Sequence, residues 1–187
     1  MKYSIKWPIL ALVLVMLLVG CTTANNGNTG TNNNNNNTPE TVEITDAHGT
    51  WTVPVNPKNV VSLDNRTFET LEDWGIELVA VPKGVMPAES SYVSDESVQD
   101  IGNHREPNLE IIAAAQPELV IIGQRFASYY EEIKALVPDA VVLDLNFDVS
   151  ETSSTPGENL VNGFIDTTVT LGKIFDKNDE ATQLVAD

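Results

Sequence analysis

Residues 59–81 read NVVSLDNRTFETLEDWGIELVAV, and this stretch decides the fold. Asn59 to Leu63 is a short apolar run suited to a buried strand. Asp64 or Asn65 then offers an N-cap, Phe68, Leu71 and Trp74 recur at helical spacing, and Gly75 stops the helix. Ile76 to Val81 is a second buried strand, closed by Pro82. Strand, helix and strand in so short a span make a parallel pair with a crossover helix.

The alternation continues outward from this unit. After a polar, irregular stretch from Lys83 to Arg105, Pro107-Asn108 announces a helix through Ala115, with Leu109, Ile112 and Ala113 on one face. Leu119 to Ile122 is a third strand, Ala127 to Val137 a helix, and Ala140 to Leu145 a fourth strand. Upstream, Thr41 to Asp46 and Thr50 to Val55 alternate apolar and polar residues around Ala47-His48-Gly49, the pattern of a β-hairpin. The expected fold class is therefore α/β, a parallel-sheet lobe with flanking helices and an N-terminal hairpin. Beyond a loop rich in Ser, Thr and Gly, Glu158 to Phe175 is a long amphipathic helix. A further helical piece near Asp179 runs to Asp187 with no Gly or Pro to stop it, which leads us to expect a chain cut short.

The first forty residues follow other rules. Lys2 and Lys6 precede an unbroken apolar run from Ile9 to Val19. As a helix that run would be roughly 16 Å long, about half a bilayer core, so it suits a signal peptide better than a membrane span. It ends in Leu18-Val19-Gly20-Cys21, which resembles the bacterial lipobox, where the cysteine is diacylated. More than one acyl chain suffices for stable anchoring. Residues 25–37 are Asn, Gly and Thr only, too polar to offset the entropy of ordering, and read as a flexible stalk.

Composition narrows the function. The chain of 187 residues carries 27 acidic and 10 basic residues, a net charge of −17. Nucleic acid is an unsuitable partner for it, because phosphate binding needs clustered cations. Cys21 is the single cysteine and the histidines number two, His48 and His104, which leaves no thiolate cluster and little for a zinc or manganese receptor. No Gly-x-Ser-x-Gly elbow or phosphate loop occurs, so we expect no enzyme.

An acidic protein that binds an anion must gather its few cations at the site. In open parallel sheets ligands sit beyond the carboxyl ends of the strands. Arg66 follows the first buried strand, Lys83 the second and Arg125 the third, three of the eight cations that remain after Lys2 and Lys6. The alternative for each is a solvated loop cation paired with a nearby acid. Trp74 fits the core face of its helix, and Tyr129 and Tyr130 cannot both point inward.

Several blocks together resemble the iron-siderophore binding lipoproteins of ABC importers. They are Val42 to Val55 followed by Asn56-Pro57-Lys58-Asn59-Val60-Val61, then LEDWGIELVAVP at 71–82, DIGNHREPNLEII at 100–112 and AQPELVII at 115–122. The resemblance covers nearly all of residues 41–187 and is nearest to the branch serving ferric catecholate and mixed-ligand siderophores. It implies two lobes around a cleft, joined by one long rigid helix. The layout expected is a signal peptide at 1–20, lipidated Cys21 and an Asn-rich stalk over 21–40, an N-terminal ligand-binding α/β lobe over 41–157, and a helical segment at 158–187 leading to an absent second lobe.

The same resemblance implies a non-catalytic protein of the extracytoplasmic membrane face that captures a ferric siderophore and delivers it to permease subunits. We expect it to act as a monomer and to need no cofactor. In the family an Arg shortly after the third strand contacts ligand, which Arg125 matches, and a Glu at a helix start docks on the permease, which Glu110 matches. For Glu110 the alternative is a carboxylate favoured by the helix dipole. Ferric tris-catecholates are anionic, and Arg suits them through its planar fork and its stacking on rings. Haem or cobalamin as ligand, or a truncated lobe without transport activity, are the alternative readings. A charge-assisted hydrogen bond contributes about 1.5–3 kcal/mol, whereas micromolar binding needs about 8 kcal/mol, so one lobe alone is expected to bind weakly.

Overall fold

A computed structural model describes residues 40–186. The signal-peptide, lipidation and stalk readings for residues 1–39 lie outside the described residues.

The chain opens with an antiparallel hairpin, β1 (Thr41–Asp46) and β2 (Gly49–Pro54), in register from Thr41 opposite Pro54 to Asp46 opposite Gly49. There follow β3 (Val60–Ser62), α1 (Phe68–Asp73), β4 (Leu78–Val81), α2 (Ser91–Ser94) and β5 (Gln99–Asp100). The second half runs α3 (Leu109–Ala115), β6 (Leu119–Ile122), α4 (Tyr130–Leu136), β7 (Val141–Asp144), α5 (Glu158–Ile174) and α6 (Asn178–Ala186).

Strands β3 to β7 form one parallel sheet in the order β5-β4-β3-β6-β7. The chain starts in the middle at β3, winds outward through β4 and β5, then returns to β6 and winds the other way. That doubly wound path makes the gap between β3 and β6 the topological switch point, where the loops leaving the two strands diverge.

Alternation along β3, β6 and β7 divides the sheet residues between two cores, while a register shift against β3 breaks it in β4. Val60, Leu78, Val81, Leu119, Ile121 and Leu143 face one side, packed with Leu71 of α1, Tyr92 of α2, Ile44 and Val53 of the hairpin, and Leu171 and Ile174 of α5. Val61, Ala80, Val120, Ile122 and Val142 face the other, under Leu109 and Ile112 of α3 and Ile133 of α4. Both faces are covered, which is why the strands read as continuous apolar runs rather than alternating ones. Trp74 is half-buried against the first core, as its helical spacing predicts.

Two features depart from the sequence reading. The polar stretch from Lys83 to Arg105 contains α2 and the fifth strand β5, which pairs through only Gln99 and Asp100, both exposed. So short and polar a strand has no hydrophobic signature. The cap of α1 is Thr67 rather than Asp64 or Asn65. The Thr67 hydroxyl donates to the Asp64 carbonyl at 2.8 Å, while the Asp64 carboxylate accepts from both the amide and the guanidinium of Arg66. Asn108 does cap α3, its Oδ1 accepting from the Glu110 amide at 3.2 Å.

Candidate functional site: the carboxyl edge of the sheet

All five parallel strands end on the same edge, and their outgoing loops carry every arginine in the chain. Arg66 lies four residues past Ser62 of β3, Arg105 five past Asp100 of β5, and Arg125 three past Ile122 of β6. Lys83 follows β4 by two residues. Lys58 and Lys173, by contrast, lie toward the opposite edge, Lys58 just before β3 and Lys173 near the end of α5, where the Asn56 amide bonds the Ile174 carbonyl. An otherwise acidic domain thus places its planar, bidentate cations at one end.

The four cations of this edge differ in what holds them. Arg66 is largely buried and forms a fork with Asp64, Nε to Oδ1 at 3.0 Å and Nη2 to Oδ2 at 3.1 Å. Its Nη2 also donates to the Leu145 carbonyl past β7 at 3.2 Å, and the guanidinium lies 4.4 Å over the Phe147 ring. Asp64 is 1% exposed, so this pair is an internal clamp at the switch point. Gly123, first residue after β6, completes it: a Cβ there would lie 2.3 Å from the Asp64 carboxyl carbon. The β3 and β6 loops can meet only because residue 123 has no side chain.

Lys83 leans along the edge toward α2. Its ammonium donates to the carbonyls of Val93 at 3.2 Å and Asp95 at 2.7 Å, and its amide donates to Asp100 Oδ1 at 3.0 Å. The carbonyls are neutral, and the charge that faces the ammonium comes from nearby carboxylates. Hydrogen bonds from the Ser97 side chain and amide hold the nearby Asp95 carboxyl below its ordinary range, with a smaller contribution from the Lys83 charge.

Arg125 is exposed, and among the described residues its guanidinium has no hydrogen-bonding, ionic or ring partner. Phe126 beside it is fully buried, and its amide closes a turn onto the Gly123 carbonyl at 3.0 Å. The loop is anchored on both sides while the Arg125 side chain projects from it. Of the three cations read from sequence, Arg125 has no partner among the described residues, Lys83 binds carbonyls, and Arg66 is neutralised by Asp64.

Of the tyrosines, Tyr130 is buried and stacks on His48 with centroids 3.6 Å apart. Burial raises its phenol pKa, reinforced by the carboxylates of Asp46, Glu131 and Asp144. Tyr129 is half-buried, and its hydroxyl donates to the His104 carbonyl at 3.2 Å. Glu110 is exposed on the first turn of α3, reached from the same edge through the loop after β5. Among the described residues no group of three His, Cys, Asp or Glu is placed to hold a metal, and no helix is long and apolar enough to cross a membrane.

Arg105 was not read as a site residue in the sequence. The signal lay in the tripeptide His104-Arg105-Glu106 within the recognised block at 100–112, but without β5 there was no strand end to place it on.

A doubly wound parallel sheet with its arginines gathered beyond the strand carboxyl ends defines an α/β lobe of the class in which ligands sit at that edge. More specifically, residues 60–187 match the periplasmic binding protein family, and the chain belongs to that family. Relatives include the petrobactin-binding protein YclQ of Bacillus subtilis (strain 168), 31% identical over 144 residues that cover 76% of this chain and 42% of that protein. The ferric-anguibactin-binding protein FatB of Vibrio anguillarum is 27% identical over 132 residues, covering 70% of this chain and 39% of that protein. Among solved structures, the siderophore-binding protein BauB, bound to a complex of two acinetobactin molecules with ferric iron, superposes with a TM-score of 0.68 at 28% identity. That match covers 79% of this chain and 50% of BauB. The chain spans half or less of the length of these three relatives.

Proposed function

We propose that this chain supplies the N-terminal ligand-binding lobe of the extracytoplasmic solute-binding component of an ABC importer for ferric siderophores. The role is capture and delivery without catalysis, and the ligand is an anionic Fe(III) complex of catecholate or mixed-ligand type. Cys21 is the lipid attachment point, and the Asn-rich segment after it is the tether between bilayer and lobe.

The observation that carries this reading is the guanidinium of Arg125, without a partner among the described residues, beside the β3–β6 switch point, on a sheet edge that also holds every other arginine. It agrees with what the relatives bind: petrobactin for YclQ, ferric anguibactin for FatB, ferric acinetobactin for BauB. Arg125 makes the direct ligand contact. Lys83 adds positive charge on the same strand edge. Arg66 contributes mainly shape, since Asp64 already offsets its charge. Glu110, exposed on the first turn of α3, is the contact point for a basic residue of the permease.

Titration of the intrinsic Trp fluorescence with ferric tris-catecholate tests the reading. We expect saturable quenching at concentrations above micromolar, weakened about tenfold or more in Arg125→Gln. Stronger quenching by haemin or cobalamin than by the ferric complex, or quenching indifferent to Arg125, overturns it. For the docking role, Glu110→Lys in a full-length version carrying a second lobe should lower siderophore-dependent iron uptake in cells and leave ligand affinity unchanged; undiminished uptake removes Glu110 from the permease contact.

A further inference from the structure

We propose that Arg105 is a second ligand-contacting cation, and that the ligand is an anion large enough to span the loops after β5 and β6. This rests on the anionic-chelate reading above and assigns it a residue that the sequence did not. In the sheet order β5-β4-β3-β6-β7, β5 and β6 are separated by β4 and β3. Three inter-strand spacings make roughly 14 Å between them.

Their outgoing loops nevertheless touch. The Tyr129 hydroxyl, four residues past Arg125, donates to the carbonyl of His104, the neighbour of Arg105. The two loops meet where they lead into α3 and α4, which pack side by side on one face of the sheet with Tyr129 half-buried against the same core.

The Arg105 loop is held to shape along its length. Gly102 and Pro107 form an isolated antiparallel bridge that closes its base. Asn103 Oδ1 accepts the Arg105 amide at 2.8 Å. Gly84, in the loop after β4, donates its amide to the Gly102 carbonyl at 3.0 Å, and a Cβ at residue 84 would lie 2.9 Å from that oxygen. These contacts use the backbone and leave the Arg105 side chain exposed, with no partner among the described residues, not even its neighbour Glu106.

Arg105 and Arg125 therefore stand as two guanidiniums without a partner among the described residues, on two loops tied to each other. A loop this well anchored loses little entropy when its cation binds, which is the condition for a productive contact. The chemistry that recognises both at once is a chelate with anionic or catecholate oxygens on more than one side; a small monoanion engages one cation and gains little from the other.

The test uses the full chain in a neutral detergent, with arginine side chains ¹⁵N-labelled, and two probes. One is the trianionic gallium(III) tris(catecholate), the other the neutral gallium(III) tris(acetohydroxamate). We expect the trianion to shift the Nε–H resonances of both Arg105 and Arg125, and the neutral complex to shift neither strongly. Arg105→Gln should weaken trianion binding about tenfold with unchanged amide spectra elsewhere, and Arg105→Lys should restore part of it. If Arg105→Gln binds as the parent does while Arg125→Gln binds weakly, Arg105 is no contact and the proposed function stands. If the trianion shifts neither resonance, both fail together.

Discussion

The guanidinium of Arg66 and the carboxylate of Asp64 form a two-pronged ion pair, 3.0 and 3.1 Å, at the point where the sheet reverses its winding. Asp64 is almost wholly buried and Arg66 largely so, with 14% of its side chain exposed. Removing one partner of such a pair strands a buried charge, which typically costs about 3–5 kcal/mol. Arg66→Ala should therefore lower unfolding stability by about 3 kcal/mol in a urea melt, part of it from lost stacking on Phe147. Adding Asp64→Asn should recover more than half of that. A loss below 1 kcal/mol would mean that the pair is solvated and Arg66 is free for ligand.

Gly123 reports on the same clamp from the β6 side. A methyl group there meets the Asp64 carboxyl carbon at 2.3 Å, and the carboxylate cannot swing aside because Arg66 holds both oxygens. Gly123→Ala is expected to cost about 1–3 kcal/mol, the usual range for overpacking. It should also displace the Arg125 loop, so the ferric complex would bind less well although no cation has been altered. Equilibrium unfolding and the fluorescence titration, run on one preparation, measure both.

Lys83 and Arg125 should separate by salt dependence. The Lys83 ammonium is held by two carbonyls beside α2, so it acts on a ligand through its field rather than through a bond. Fields between exposed charges are largely screened beyond about 10 Å at 0.1 M salt. Lys83→Met should weaken binding of the ferric trianion by about twofold at low ionic strength and by nothing measurable at high ionic strength. Arg125→Gln should weaken it at both. Equal salt dependence of the two variants would place Lys83 in direct contact.

The sheet was legible from sequence wherever burial wrote a hydrophobic pattern. Val60 to Leu63 and Leu119 to Ile122 are covered on both faces and announce themselves as apolar runs, and Asn108 announces α3 by capping it. What the sequence did not disclose was set by contacts between distant residues. β5 is two exposed polar residues that become a strand only by lying against Ala80 and Val81. Asp64 looks like a helix cap until Arg66 and Gly123 surround it. The same limit governs the site: Arg66, Lys83 and Arg125 were placed by following strands, but which of them is free depends on partners such as Asp64 and the Asp95 carbonyl. Arg105 was missed together with the strand that positions it.

Acid should loosen the carboxyl edge through Glu72. Its carboxylate accepts the Ser91 amide at 2.5 Å and the Ser90 hydroxyl at 2.9 Å, tying the end of α1 to the start of α2. Hydrogen bonds from Ser91 are the main reason its pKa lies below the ordinary 4.5, against a smaller opposing effect of burial. A carboxyl group whose pKa is lower in the folded chain stabilises it fully above the unfolded value and loses that contribution as pH falls through the folded one. The Ser91 amide resonance should therefore titrate below pH 4.5, and in Glu72→Gln it should already sit near its low-pH position at neutral pH. Because α2 supplies the Val93 carbonyl and its C-cap the Asp95 carbonyl to the Lys83 ammonium, releasing α2 also releases Lys83 at the strand edge. Resonances of the Lys83 side chain should follow the same titration as Ser91; if they stay fixed while Ser91 moves, the two contacts are independent.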